Sequence, residues 1–285
     1  MQQSKNMINK STVEALWRTC FNDNEEFIRL FFDNIYNPEN VIAIEQNGDI
    51  VSALHILPYT IDIGGKETQA AYICGVGTLP YERGKGHMSR LMKLTDEVLK
   101  RRNIPISFII PAEPWLFDIY EKYGYKKAFG YNREKLFISE RNSLYGNITL
   151  VTGSSEEVFA YFDKKQRERR NSVLHDEKDL AIIVKDLVIS GGGLFIARGN
   201  QNEIIGLAFA VPDENAEALV NEFMYDDIAV RQDLLNSIAT KFDSPHIKII
   251  SPALTKTPTT KGMVKLIKSE ETFPFETTFM NLMLD

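Results

Sequence analysis

Apolar residues recur along this chain with two different periods, and the switches between them outline its elements. "TVEALWRTCF" and "NEEFIRLFFDNIY" have helical spacing, with Ser11 and Asn24 placed to cap them. "NVIAIEQNGDIVSALHILPYTIDI" changes to near-continuous apolar runs broken at Asn47-Gly48, a pair suited to a type I′ turn, and predicts a hairpin. After Gly64-Gly65, "KETQAAYICGVGTLP" predicts a further strand. "GHMSRLMKLTDEVLKRR" returns to the helical period and puts Met88, Leu91, Met92, Thr95, Val98 and Leu99 on one stripe. "IPISFIIPA" is a short continuous apolar run typical of a buried strand. "PWLFDIYEKYG" reads as a short helix ended by Gly124, and "YKKAFGYNREKLFI" as strand again. Helices, three antiparallel strands, helix, strand, helix and strands make an α/β layered unit with a mixed sheet, of roughly 140 residues.

The second half repeats this rhythm faintly. "DEKDLAIIVKDLVIS" is helical and runs into Gly191-Gly192-Gly193. "LFIARGNQNEIIGLAFAVP" predicts a hairpin around Asn200-Gln201-Asn202, and "AEALVNEFMY" a strand. "DIAVRQDLLNSIATKF" predicts a helix, and strands near "HIKIIS", "GMVKLIK" and "TFMNLML" close the chain. The expected division is 1–143 and 144–285, with the linker near Glu140 to Asn147. The second unit reads as a copy of the first without the feature described next.

That feature is "GTLPYERGKGHMSRLM", where a strand runs into a helix through Arg83-Gly84-Lys85-Gly86. The first N–H groups of a helix have no internal partners, and with the helix dipole they attract phosphate oxygens. Gly84 and Gly86 let backbone approach a ligand closely, and Arg83 and Lys85 add positive charge. This is neither a P-loop, since Gly-Lys is followed by Gly86, nor a dinucleotide fingerprint.

Charge supports an anion site in the first half only. Residues 1–145 hold 18 basic and 18 acidic side chains, while residues 146–285 hold 15 and 21, so the whole excess of −6 lies in the second half. Arg83, Lys85, Arg90, Lys93, Lys100, Arg101 and Arg102 crowd the segment that begins in the glycine loop. The negative total argues against a general nucleic-acid partner. No apolar run long enough for a membrane span and no secretory apolar region occur, so no membrane partner is expected. Two cysteines, Cys20 and Cys74, suggest buried thiols in a reducing, cytoplasmic setting. His55, His87, His175 and His246 lack metal-ligand spacing, so no metal is expected, and His87 is expected to be exposed.

Arg83-Gly84-Lys85-Gly86-His87-Met88 resembles motif A of the GNAT superfamily of acyl-CoA N-acyltransferases, R/Q-x-x-G-x-G/A, with Arg83 and Gly86 matching and Met88 departing from the final small residue. "VGTLP" resembles the strand leading into that motif. "FDIYEKYGYKKA" resembles the family's later "Y-e-k-x-G-F" segment, with Tyr120, Gly124 and Tyr125 in register. The pattern is most similar to the bacterial Eis-like branch, in which a larger residue often ends the motif and a degenerate second GNAT-like domain follows. Members of that branch usually carry a further sterol-carrier-like domain, and a chain of 285 residues is expected to lack it or reduce it.

The resemblance implies an N-acetyltransferase that moves an acetyl group from acetyl-CoA to a primary amine by direct attack on the thioester. A strand through Val76, Gly77 and Thr78 would pair with the pantetheine amides, and Gly84, Lys85, Gly86, His87, Met88 and Ser89 would hold the pyrophosphate beside Arg83. Met88 would pack under its helix. The strand "ISFIIPA" would splay from its neighbour to admit the thioester, and backbone N–H near Val76 would stabilise the oxyanion. Tyr120 is the expected acid for the departing thiolate, with a core aromatic as its bland alternative. Glu113, His55 and Glu45 are eligible bases, and in the resembled branch a terminal carboxylate, here Asp285, reaches the active site. The acceptor would be a small-molecule or peptide amine, and an acidic second half suits a cationic one. The branch includes hexamers, which leaves a homo-oligomer open. A non-catalytic acyl-CoA-binding protein and a vestigial scaffold are the two alternatives.

Overall fold

The structure is a computed structural model of the 285-residue chain and describes residues 8–139, 147–253, 258–268, 272–275 and 277–284. Helices α1 (Lys10–Cys20) and α2 (Glu25–Asn34) come first. Asn24 caps α2 as expected, accepting the Phe27 N–H at 2.8 Å. Helix α1 begins earlier than expected. Its cap is Asn9, which accepts the Ser11 N–H at 3.0 Å, so Ser11 falls inside the first turn. Both helices press Val13, Leu16, Trp17, Ile28 and Phe31 onto one face of the sheet.

The hairpin forms as the pattern predicts, from β1 (Val41–Gln46) and β2 (Asp49–Ile63). Asn47 and Gly48 both take positive φ, 54° and 90°, the geometry that matches strand twist in a two-residue turn. Strand β3 (Lys66–Thr78) continues antiparallel to β2. Helix α3 (His87–Arg101) then crosses to β4 (Ile106–Ile109), parallel to β3, and is followed by α4 (Pro114–Glu121) and β5 (Lys126–Phe137). Helix α3 buries Leu91, Met92, Thr95 and Leu99, the core of the predicted stripe. Each fully buried apolar side chain there contributes about 1.5–3 kcal/mol.

The second half holds three elements that the hydrophobic pattern did not outline: β6 (Ile148–Val151), α5 (Glu156–Glu168) and β7 (Ser172–Leu174). Helix α6 (Glu177–Ile189), β8 (Gly193–Arg198), β9 (Ile204–Pro212), β10 (Ala218–Tyr225), α7 (Ile228–Lys241), β11 (His246–Pro252) and β12 (Thr259–Leu266) follow the expected order. The closing "TFMNLML" is not a strand. It makes one bridge, Phe279 to Ser172, and turns at Leu282 with φ 55°. Its side chains do not alternate between core and solvent: Thr278 to Met283 are all buried, with Met280 and Met283 in the core under α1 and α2 and Leu282 in the core of the second half. The expected linker lies outside the described residues except for Asn147.

The sheet is a single one, ordered β1-β2-β3-β4-β12-β5-β11-β10-β9-β8-β6, with β7 paired to β2. The first half runs three antiparallel strands, α3, then a parallel strand; the second half repeats this with β8, β9, β10, α7 and β11. At the centre the halves exchange strands. Strand β12, near the end of the chain, sits between β4 and β5, and β5 pairs with β11.

Candidate active site

Strands β3 and β4 pair from Ala70–Ile106 to Ile73–Ile109 and then part, while β3 runs on to Thr78. The register with β2 jumps at the same level, from Cys74–His55 to Gly77–Ala53, so Gly75 and Val76 stand outside the ladder. Gly75 has φ 58°, and a Cβ there would overlap the Trp17 ring and lie 3.0 Å from His55 Nδ1. At Gly77 a Cβ would come within 3.1 Å of Cys20 Sγ and Leu16 Cδ2. Two glycines thus let α1 lie flat on β3 while the strand's β4-side edge stays unpaired beyond Ile73.

The loop after β3 makes one 3₁₀ turn (Pro80–Glu82) and reaches α3 through two left-handed glycines, Gly84 (φ 78°) and Gly86 (φ 83°). A Cβ on either would meet nothing within 4 Å, so backbone conformation requires the glycines, and the space over them is open. Gly86 is the N-cap of α3, and no side chain caps this helix. Its first N–H groups, at His87, Met88 and Ser89, have no intrahelical acceptor. The corresponding helix of the second half differs in this respect. Asp227 caps α7, its carboxylate accepting from Ala229 N at 2.8 Å and Val230 N at 3.0 Å. The second copy's helix terminus is filled by the protein's own anion.

Several predicted loop residues have additional tasks. His87 is not exposed: it is buried, with Nε2 2.9 Å from Glu82. The apolar side of α3 begins at His87, and the buried Glu82 gives its ring a polar partner. Lys85 Nζ donates to the same carboxylate at 2.8 Å, and Lys85 first, His87 second, hold the Glu82 carboxyl below its usual range. Part of the Lys85 charge is therefore spent inside the loop. Arg83 Nε donates to the Thr78 carbonyl at 3.2 Å, tying the loop to the end of β3. The Ser89 and Tyr123 hydroxyls are 2.7 Å apart and join the first turn of α3 to the end of α4. Met88 is half-buried and packs into the core below α3.

Tyr120 lies on α4 in that same core, with its ring 6.0 Å from that of Tyr125. Burial raises its phenol well above the ordinary tyrosine range, so it carries its proton at neutral pH. The eligible bases are not brought together. Glu45 is exposed on the edge strand β1, Glu113 is exposed at the start of α4, and His55 is buried under α1 and α2. Asp285 lies outside the described residues. Among the described residues no group of side chains is arranged to hold a metal ion, and no helix is long and apolar enough to cross a membrane.

A sheet that splays at a β3 bulge, with an uncapped helix terminus at its mouth, defines a GNAT-type fold. Solved structures share it over nine-tenths of the chain. A GCN5-related N-acetyltransferase from Kribbella flavida is 17% identical, with 91% of this chain and 70% of that one covered, at a TM-score of 0.71. One from Anabaena variabilis is 16% identical, covering 90% and 70%, at 0.70. Eis1 from Mycobacterium abscessus is 12% identical, covering 92% and 71%, at 0.64. No curated protein matches the sequence. The family model described as acetyltransferase (GNAT) domain matches residues 9–128 of this chain.

Proposed function

We propose that the protein is an N-acetyltransferase that uses acetyl-CoA to acetylate a primary amine. The observation that carries this reading is the contrast between the two repeated helix termini: α3 begins at a left-handed glycine with no capping side chain, whereas Asp227 occupies the start of α7. An empty terminus with open space above two glycines suits a pyrophosphate. The free edge of β3 beyond Ile73 suits the pantetheine amides, and Val76 stands where the thioester would lie. Attack by the amine nitrogen on the thioester carbon forms the C–N bond, breaks the C–S bond and expels a thiolate. Tyr120, kept protonated by burial, is the donor we assign to it, and the proton lost by the amine nitrogen passes to solvent, from which the phenol is reprotonated. Isothermal titration with acetyl-CoA, joined to a thiol-release assay over a panel of amines, tests the reading. Binding without turnover on any amine would favour a non-catalytic acyl-CoA-binding protein, and no binding at all a vestigial scaffold.

Two results should follow. Gly86→Val should weaken acetyl-CoA binding by about tenfold or more, since a branched residue resists the left-handed conformation and the loop must rebuild. The effect acts through φ, because the space around a Cβ is empty. Arg83→Ala should cost less, and equal binding by wild type and Gly86→Val would remove the pyrophosphate assignment. Titration should also saturate near one acetyl-CoA per chain; two equivalent sites would show that the Asp227 cap does not close the second copy.

A further inference from the structure

His55 is the one buried polar group beside the bulge for which neither packing nor the proposed chemistry gives a reason. It lies on β2 opposite Cys74, the last residue before the ladder jumps. It is 1% exposed, and among the described residues its ring nitrogens have only a weak contact with the Cys74 backbone, outside ordinary hydrogen-bond geometry. Its walls are aromatic: the ring centroids of Trp17, Phe31, Phe32 and Tyr36 are 5.4, 5.1, 6.1 and 6.1 Å away. A phenylalanine would fill such a box without stranding two polar atoms. The polar edge of the ring faces the bulge, with Nδ1 3.0 Å from where a Gly75 Cβ would stand. Burial lowers the imidazole pKa to about 3, opposed only by the backbone of Cys74, so the ring is neutral and keeps one N–H to donate.

We propose that His55 is a positioning residue for acyl transfer: wedged with Trp17 against Gly75, its N–H fixes the Cys74–Gly75 backbone so that Val76 N–H faces the splay between β3 and β4. This rests on the transferase reading above and adds a residue to it. The ring touches no reacting atom. The weak contact with the Cys74 backbone closes to a full hydrogen bond when the thioester occupies the splay, as contacts that are long in a free enzyme do in a loaded one. No charge moves through it, and the proton balance of the reaction is unchanged.

His55→Phe keeps the ring and removes the N–H. Amide hydrogen exchange of the ligand-free protein is the first measurement. Gly75 and Val76 should exchange at least tenfold faster in the variant, with an equal or higher Tm. Unchanged exchange, or a fall in Tm that speeds exchange throughout α1 and β2, overturns the proposal in favour of plain packing. Kinetics come second: kcat should fall about 10- to 100-fold with acetyl-CoA affinity held, and His55→Gln, which restores an N–H, should recover part of the loss. A variant as fast as wild type overturns the proposal. If the wild type binds no acetyl-CoA, the transferase reading fails, and the exchange measurement still decides whether His55 sets the bulge.

Discussion

Tyr120→Phe should lower kcat about 100-fold while leaving acetyl-CoA affinity where it was. The ring packs on the core under α3, 6.0 Å from Tyr125, and phenylalanine keeps those contacts. On the proposed chemistry the hydroxyl is the proton donor. A thiolate leaving near neutral pH needs a proton, and an ordinary thiol pKa of about 8.5 makes a positioned acid worth roughly two orders of magnitude. Burial raises the phenol above its usual range, so wild-type kcat should show no loss from this acid up to pH about 10, the ordinary tyrosine value. The measurement is steady-state kinetics on any accepted amine, with acetyl-CoA affinity taken by titration. A rate within about threefold of wild type, in a variant that unfolds like wild type, would return Tyr120 to the core as a packing residue.

How far such a site is readable from sequence depends on how local its determinants are. The loop was legible because its requirements are carried by neighbouring residues: Gly84 and Gly86 supply φ values that no side chain tolerates well, and the α3 stripe begins immediately after them. The Asn47-Gly48 turn was legible for the same reason. What escaped was set by distant parts of the chain. His87 looks solvent-facing in its own segment and is buried because Glu82 folds back to meet it. The bulge at Gly75 looks like one more strand residue until Trp17 and His55, from two other elements, are seen to occupy its Cβ position. Strand β7 is too short to show a period and exists because Thr60, Ile61 and Asp62 offer an edge to Ser172, Val173 and Leu174. The closing segment has strand composition, yet its side chains are divided between two cores, which no ladder geometry allows.

A fragment ending at residue 139 should fail to fold or to bind acetyl-CoA, although it contains the whole segment matched to the GNAT domain family. Its β4 and β5 are not neighbours. Strand β12 lies between them, pairing Met263 to Leu266 with β4 and Thr259 to Val264 with β5. Met263 and Val264 are fully buried, on opposite faces of the sheet, one in each core of the first half. Burial of side chains of this size contributes about 1.5–3 kcal/mol each, against a typical whole-domain stability of about 5–15 kcal/mol. Without β12 the facing N–H and C=O groups of β4 and β5 would also lose their partners in a buried part of the sheet. The hairpin tip would lose a further hold, since Asn171 accepts the Gly64 N–H at 2.8 Å and donates its own N–H to Asp62 at 3.0 Å. Because β4 forms one side of the splay, the proposed acyl site depends on a strand from the other half of the chain. The full chain should therefore unfold in one transition, and residues 147–285 supplied separately should rescue the fragment. Circular dichroism melts and acetyl-CoA titration of the fragment, alone and mixed, decide it. A monomeric fragment with a sharp melt and the affinity of the full chain would mean that the first unit closes its own sheet and that the strand exchange is not needed for the site.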